Sequence, residues 1–346
     1  MPSFLPSVFR RKADDLTASG FASAKDPTTL FSKVDPVEDG PDCEHDCASC
    51  TIKYPAKFSI DESDKLYGHV KGWATHLLVA TGKTDWVRDV EDEKGSVMEA
   101  VGKVSVKPSN GRMMLSASNI PLPDTHHASS LPPEKTPTTV LLLPSFTIIE
   151  DVTPSDVPDL ITHFINTAPT STSPLLPSST TTNGTTTLPT IPNENLPDAA
   201  LVAQPAPPAH LQARPCPHKY LLLLCSQKTR DARCGQSAPL LRREFERHLR
   251  PLGLYRDLSD ERPGGCGIYF ISHVGGHKYS ANVMVYRRAD ADGEDSAEGG
   301  QCIWLARVRP EDCEGIVKYT MLKGKVVKPE RQLRGGYDRV KGMVSW

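Results

Sequence analysis

The chain has 346 residues, with 40 Lys and Arg against 42 Asp and Glu, 38% apolar composition and nine cysteines. That length suits two ordinary domains, since one hydrophobic core usually serves about 100 to 200 residues. No run of about 18 apolar residues offers a membrane span, and the basic residues lack the aromatic interleaving of a nucleic-acid binder.

The net charge of -2 conceals two unlike halves. Residues 1–210 hold 16 basic against 26 acidic residues, and residues 211–346 hold 24 against 16. A basic half tethered to an acidic one can dock on itself or steer toward an acidic redox partner; scattered solvated charge is the plain alternative. With no secretory signal, nine cysteines point away from a structural disulfide framework and toward metal binding or redox chemistry. Phe4, Leu5, Val8 and Phe9 before Arg10, Arg11 and Lys12 give a faint mitochondrial presequence pattern, which Asp14 and Asp15 interrupt.

In chain order, residues 1–40 read as a mobile polar lead-in. An N-terminal α/β domain spans 41–166, and a degenerate thioredoxin-like unit is one reading of it. Within it, Trp73 to Ala80 reads as a buried strand and Thr139 to Ile149 as a second one. The stretch from Val97 to Ile120 is mixed. Val157, Leu160, Ile161 and Phe164 recur at helical spacing. Residues 167–213, rich in Thr, Ser and Pro, cannot bury enough surface to offset chain entropy and read as a disordered linker.

A second domain covers 214–346. Lys219 to Cys225 is a continuous apolar run, as in a strand buried on both faces. Ser237 can cap a helix whose Leu241, Phe245 and Leu249 share one face. Gly267 to Ser272, Tyr279 to Tyr286 and Cys302 to Val308 are strand candidates, and Pro310, Glu311 and Asp312 suit a last helix N-terminus. The order β-α-β-β-β-α fits a small thioredoxin-like sandwich, so the fold class is α/β throughout. The basic residues from Lys323 to Lys341 form a tail, most simply a solvated surface.

Chemistry concentrates in the second domain. Cys225 and Cys234 bracket an eight-residue loop, and His273-Val-Gly-Gly-His277 follows farther on. Two thiolates and two imidazoles can ligate a borderline-soft metal. Eight residues between the cysteines exceed the two to four of a zinc finger, so zinc is disfavoured but open. A larger iron–sulfur rhomb can take a ligand pair from each of two separated loops.

With these residues in hand, the chain resembles the thioredoxin-like ferredoxins, and more closely the sucrase/ferredoxin-like family. The resemblance rests on Asp42-Cys43 to Cys50, Tyr54-Pro55 and Thr81-Gly82-Lys83-Thr84-Asp85-Trp86. In the second domain it rests on Cys225, Cys234-Gly235 and the run from His273 through Asn282. It implies a C-terminal thioredoxin-like ferredoxin domain holding a [2Fe–2S] cluster on Cys225, Cys234, His273 and His277. The cysteines would serve one iron and the histidines the other, in an electron carrier of redox homeostasis, with turnover as an oxidoreductase left open. Two neutral imidazoles in place of two thiolates imply a potential above that of a plant-type ferredoxin, and reduction coupled to protonation. Lys278, Arg230 and Arg233 become candidates for tuning the site or docking a reductase or acceptor.

Cys43, Cys47 and Cys50, with His45 among them, read as redox thiols or a partial zinc site. A thiol oxidoreductase working through them, or a zinc-binding interaction protein, is the competing class. The C-terminal Val344-Ser345-Trp346 resembles the tripeptide by which client proteins recruit the cytosolic iron–sulfur assembly machinery, although Val344 departs from the usual first residue. That favours a cytoplasmic location, with the mitochondrion as the alternative.

Overall fold

The computed structural model describes residues 20–122, 136–175, 206–291 and 294–346, with the backbone alone at His277, 290, 291 and 294–297. Among them, in chain order, are the strands β1 (Ala22–Ser23), β2 (Thr75–Ala80), β3 (Met113–Ser118), β4 (Thr138–Leu143), β5 (Thr147–Val152), β6 (Ala213–Pro215) and β7 (Tyr220–Cys225). They continue with β8 (Tyr255–Arg256), β9 (Cys266–Ile271), β10 (Val283–Ala291), β11 (Glu294–Leu305), β12 (Leu333–Asp338) and β13 (Met343–Val344). All join one mixed sheet in the order β1-β13-β12-β11-β10-β7-β9-β3-β2-β4-β5-β6, with β8 on β9. The fold is therefore mixed α/β with few helices.

The sheet repeats a pattern about its middle. β2 is parallel to β3 and antiparallel to β4, which pairs with β5. β7 is likewise parallel to β9 and antiparallel to β10, which pairs with β11. A helix follows the first strand of each set, Val97–Lys103 in one and Ala232–Leu249 in the other. Each set also ends in a helical stretch that begins with a proline turn and widens into π-type geometry, over 154–165 and 310–321. Asp156 and Asp312 each cap their stretch by accepting from the backbone N–H of Thr153 and Arg309.

The two sets meet edge to edge where Ser118 of β3 faces Ile271 of β9. Side chains extend this short seam: Phe270 N–H donates to Asn119 Oδ1 at 2.7 Å and Ala117 N–H to Ser272 Oγ at 3.1 Å. The continuous apolar run in β7 follows from burial on both faces. Leu222 and Leu224 enter one core cluster, and Leu221 and Leu223 enter the other.

Several elements depart from the sequence expectation. Thr139 to Ile149 is the hairpin β4–β5, since Pro144-Ser145-Phe146 turns the chain with Phe146 at φ 53°. Residues 20–40 belong to the fold rather than preceding it. Asp26 and Asp35 cap short helices headed by Pro27 and Pro36, Leu30 and Phe31 are fully buried, and β1 pairs with β13. The expected linker falls mostly outside the described residues, but Ser171 is buried with its hydroxyl donating to Trp73 O. The helix expected from Ser237 begins at Ala232, capped by Asp231, because this carboxylate accepts the free N–H of Arg233. The basic tail folds as β12 and β13, with Arg334 and Arg339 buried.

Candidate metal centre

Three elements deliver a thiol pair and an imidazole to one point. Cys225 ends β7, Cys234 lies in the first turn of the long helix, and His273 follows β9. Their donor atoms converge, with Cys225 Sγ 3.3 Å from Cys234 Sγ and His273 Nδ1 3.6 and 4.0 Å from the two sulfurs. Gly235 makes the closure of the 226–231 loop possible, since a Cβ there would stand 2.7 Å from Lys228 Cβ. The sulfurs are buried and the imidazole is half-exposed. The side chain of His277 lies outside the described residues; its backbone starts a single helical turn, His277–Tyr279.

Left-handed backbone surrounds that turn. Gly275 and Gly276 precede it at φ 80° and 65°, and Ser280 and Ala281 follow it at 57° and 43°. Two consecutive non-glycine residues in this region store strain of about 1–3 kcal/mol each, a cost that concentrates at functional sites. Arg334 of β12 holds the loop from behind. Its Nη1 donates to Gly275 O at 2.9 Å and to Asn282 Oδ1 at 3.0 Å, and its guanidinium lies 4.2 Å over the Trp304 ring. Burial lowers the Arg334 pKa to about 10, and nearby Tyr279 and Cys225 oppose that fall. Cys225 N–H donates to Asn282 O at 3.2 Å, while Asn282 Nδ2 is buried with no acceptor among the described residues. The hydrogen bond from Cys234 pulls the Cys225 thiol pKa down; for Cys234 that bond and burial push upward.

The N-terminal half braces the same loop. Ser226 Oγ donates to Thr84 O at 2.9 Å, and Gln227 links Val87 O to His273, whose N–H donates to Gln227 Oε1 at 2.8 Å. Asp85 accepts from Thr229 N–H at 3.0 Å and from its hydroxyl at 2.8 Å. Desolvation raises the Asp85 pKa, but the bonds from Thr229 outweigh it, so the carboxyl sits below its ordinary value. A depressed carboxyl contributes stability above its unfolded pKa, near about 3.9, and loses it as pH falls through the folded value. Asp85→Asn is expected to cost about 1 kcal/mol at pH 7, with the deficit against the parent shrinking toward pH 3. Urea midpoints of both proteins across that range check it.

Arg334, Gln227, Asn282 and Asp85 were not singled out by sequence reasoning as parts of the site. Asp85 and Asn282 lay inside the family runs, but Arg334 carried no local signal beyond its charge. The proposed tuning residues have other partners: Lys278 pairs with Asp64, Arg230 donates to Arg88 O, and Arg233 pairs with Asp231.

Of the N-terminal cysteines, Cys43 and Cys47 are buried and Cys50 is half-buried. Cys43 is 1% exposed and packs with Val34 and Val327, so burial raises its thiol pKa. His45 pairs with Asp42 at the surface. Cys50 Sγ turns to Ile52 O at 3.6 Å and burial raises its pKa also. Cys47 instead meets His248 and Glu314 from the C-terminal half. Trp346 is half-buried against Trp73, ring centroids 4.7 Å apart.

Among the described residues, no helix is long and apolar enough to cross a membrane. No solved structure matches the chain. Actin patches distal protein 1 of Saccharomyces cerevisiae is 28% identical over 343 residues, covering 91% of this chain and 92% of its own. Altered inheritance of mitochondria protein 32 matches a smaller part: the Clavispora lusitaniae protein is 36% identical over 111 residues, 32% of this chain and 33% of its own. That of Debaryomyces hansenii is 34% identical over 110 residues, 32% and 34% of the two chains. A model of the sucrase/ferredoxin-like family matches residues 66–335. That span takes in both the bracing segment at Thr84–Arg88 and the thiol–imidazole centre, and the chain belongs to the sucrase/ferredoxin-like family.

Proposed function

We propose that the chain is a one-electron carrier whose Cys225, Cys234, His273 and His277 hold a [2Fe–2S] cluster. The observation that carries the reading is the convergence of two buried sulfurs and one imidazole nitrogen within 4.0 Å, from three elements, with His273 about 40 residues beyond the cysteine pair. The donor set suits the group: thiolates and imidazoles are its ligands, and the buried Arg334 offsets negative charge. Asn282 Nδ2, a buried donor beside the backbone partner of Cys225, provides a hydrogen bond that nothing else described accepts. When bound, such a cluster accepts and releases single electrons. The chain's own contribution is to shield the sulfurs, leave His273 half-exposed as an entry point, and fix the loops through Asp85 and Arg334. We read the β-α-β-β-β-α order of each half as thioredoxin-like, with Ala80 ending β2 where Cys225 ends β7.

Anaerobically purified protein is expected to be brown, EPR-silent as isolated in the oxidised form, and to give an S = 1/2 signal after dithionite, with iron and sulfide in equal amounts. Protein that stays colourless and holds only zinc after reconstitution with iron and sulfide would sink the reading. The donor and acceptor are redox proteins of unnamed identity. Recruitment of the assembly machinery through Trp346 would require the ring to leave Trp73. A cytoplasmic location is our reading; the word mitochondria in the name of the partial relatives is what supports the alternative.

A further inference from the structure

Cys47, His248 and Glu314 come from three separate segments, and their donor atoms all lie within 4.8 Å of one another. Cys47 Sγ is 3.8 Å from His248 Nε2. A single nitrogen of the Arg247 guanidinium occupies the middle of the neighbouring donors. Its Nη2 lies 3.3 Å from Cys47 Sγ, 3.0 Å from His248 Nε2 and 2.8 Å from Glu244 Oε2. Nε of the same guanidinium also reaches Glu244 Oε2, so one cationic group fills the space between these donors. What the donors share is affinity for positive charge, and a sulfur, an imidazole nitrogen and a carboxylate are the ligand types of zinc.

We propose that Cys47, His248 and Glu314 form a second metal site, separate from Cys225, which takes a divalent borderline-soft cation of the zinc type when Arg247 swings aside. On binding, the Cys47 thiol releases its proton to solvent and the sulfur, the imidazole nitrogen and a Glu314 oxygen each donate a pair to the ion. Arg247 keeps an anchor through Nε, which donates to Glu244 Oε2 at 2.8 Å, and 41% exposure of its side chain leaves it room to move. Burial and the Arg247 charge lower the His248 pKa, and the bonds from Cys47 and Lys318 lower that of Glu314. Both groups are therefore in the ligating protonation state at neutral pH. Three protein ligands leave a fourth position, as in zinc sites that bind water or a small molecule. His248, Glu314, Arg247 and Ser49 also line a cavity of about 630 Å³.

The inference does not rest on the iron–sulfur reading, and one experiment separates them. Full-length protein is incubated with excess zinc, desalted, and its iron and zinc are counted; Co²⁺ is then titrated as a spectroscopic probe. The expected result is one zinc per chain that Cys47→Ala removes and Cys225→Ser leaves in place, with a thiolate-to-cobalt charge-transfer band that follows Cys47. Glu314→Gln, which preserves size, weakens Co²⁺ binding about tenfold or more, and Arg247→Gln strengthens it by removing the competing cation. Zinc that leaves with Cys225→Ser instead, no zinc retained by the parent protein, or Co²⁺ affinity unmoved by both Glu314→Gln and Arg247→Gln would overturn the proposal.

Discussion

With the proposed cluster bound, His273→Cys is expected to keep the protein brown and lower its reduction potential by about 100 mV or more, while lessening the potential's dependence on pH. The direction follows from charge: a thiolate brings to the site a negative charge that the neutral imidazole lacks, and extra negative charge disfavours an added electron. The scale follows from the gap of several hundred mV between centres with two imidazoles and plant-type ferredoxins, of which one substitution should recover a substantial share. With the parent, one proton taken up per electron gives a slope of about 59 mV per pH unit; replacing one of the two proposed imidazole ligands lessens it. His273 is suited to the role, being the half-exposed member of a centre whose sulfurs are buried. Protein-film voltammetry from pH 6 to pH 9 reads both quantities, and an unchanged potential would remove His273 from the ligand set.

Gly336→Ala is expected to be the most damaging small substitution in the C-terminal half, costing about 3 to 5 kcal/mol. Gly336 lies in β12 at φ 142°, and a Cβ there would stand 2.0 Å from the carbonyl oxygen of Cys302 in β11. Both are sheet backbone, so neither can yield as a side chain would. Gly342→Ala is the control. It shares a left-handed φ of 64° but meets nothing within 4 Å, so it should cost only about 1 kcal/mol. Urea unfolding at a common m-value compares the two, and equal losses would mean that the close approach to Cys302 is relieved at little expense. Because Arg334 sits two residues before Gly336, displacement of β12 would also loosen the Gly275 loop.

What could be seen in the sequence divides along physical lines. The strand ending in Cys225 was legible because burial on both faces leaves a continuous apolar run, and the candidate ligands were legible as residue types in a specific motif. The first turn of the long helix was not, because its cap Asp231 sits in a polar loop where capping and turn chemistry use the same residues. Residues 20–40 read as a polar lead-in, yet Phe21, Leu30, Phe31 and Val34 are buried and β1 joins the sheet. The partners of Cys47 were invisible for a different reason: His248 and Glu314 lie about 200 and 270 residues away, and neither carries a local pattern. Charge was misleading at Arg334, which is buried against tryptophan and carbonyl oxygens rather than solvated.

The seam between the two halves of the sheet gives the centre reach beyond its own ligands. β9 is at once the edge that meets β3 and the strand that delivers His273, so the register of Ser118 against Ile271 and the position of the imidazole are set by one piece of backbone. Any group held by Cys225, Cys234 and His273 therefore acts as a clasp on the joint. By mass action, loading the clasp stabilises the half that carries its ligands, and through β9 the joint with β3. Emptying it would be felt first as faster amide exchange along Ala117 to Asn119, in the half that carries none of the proposed ligands.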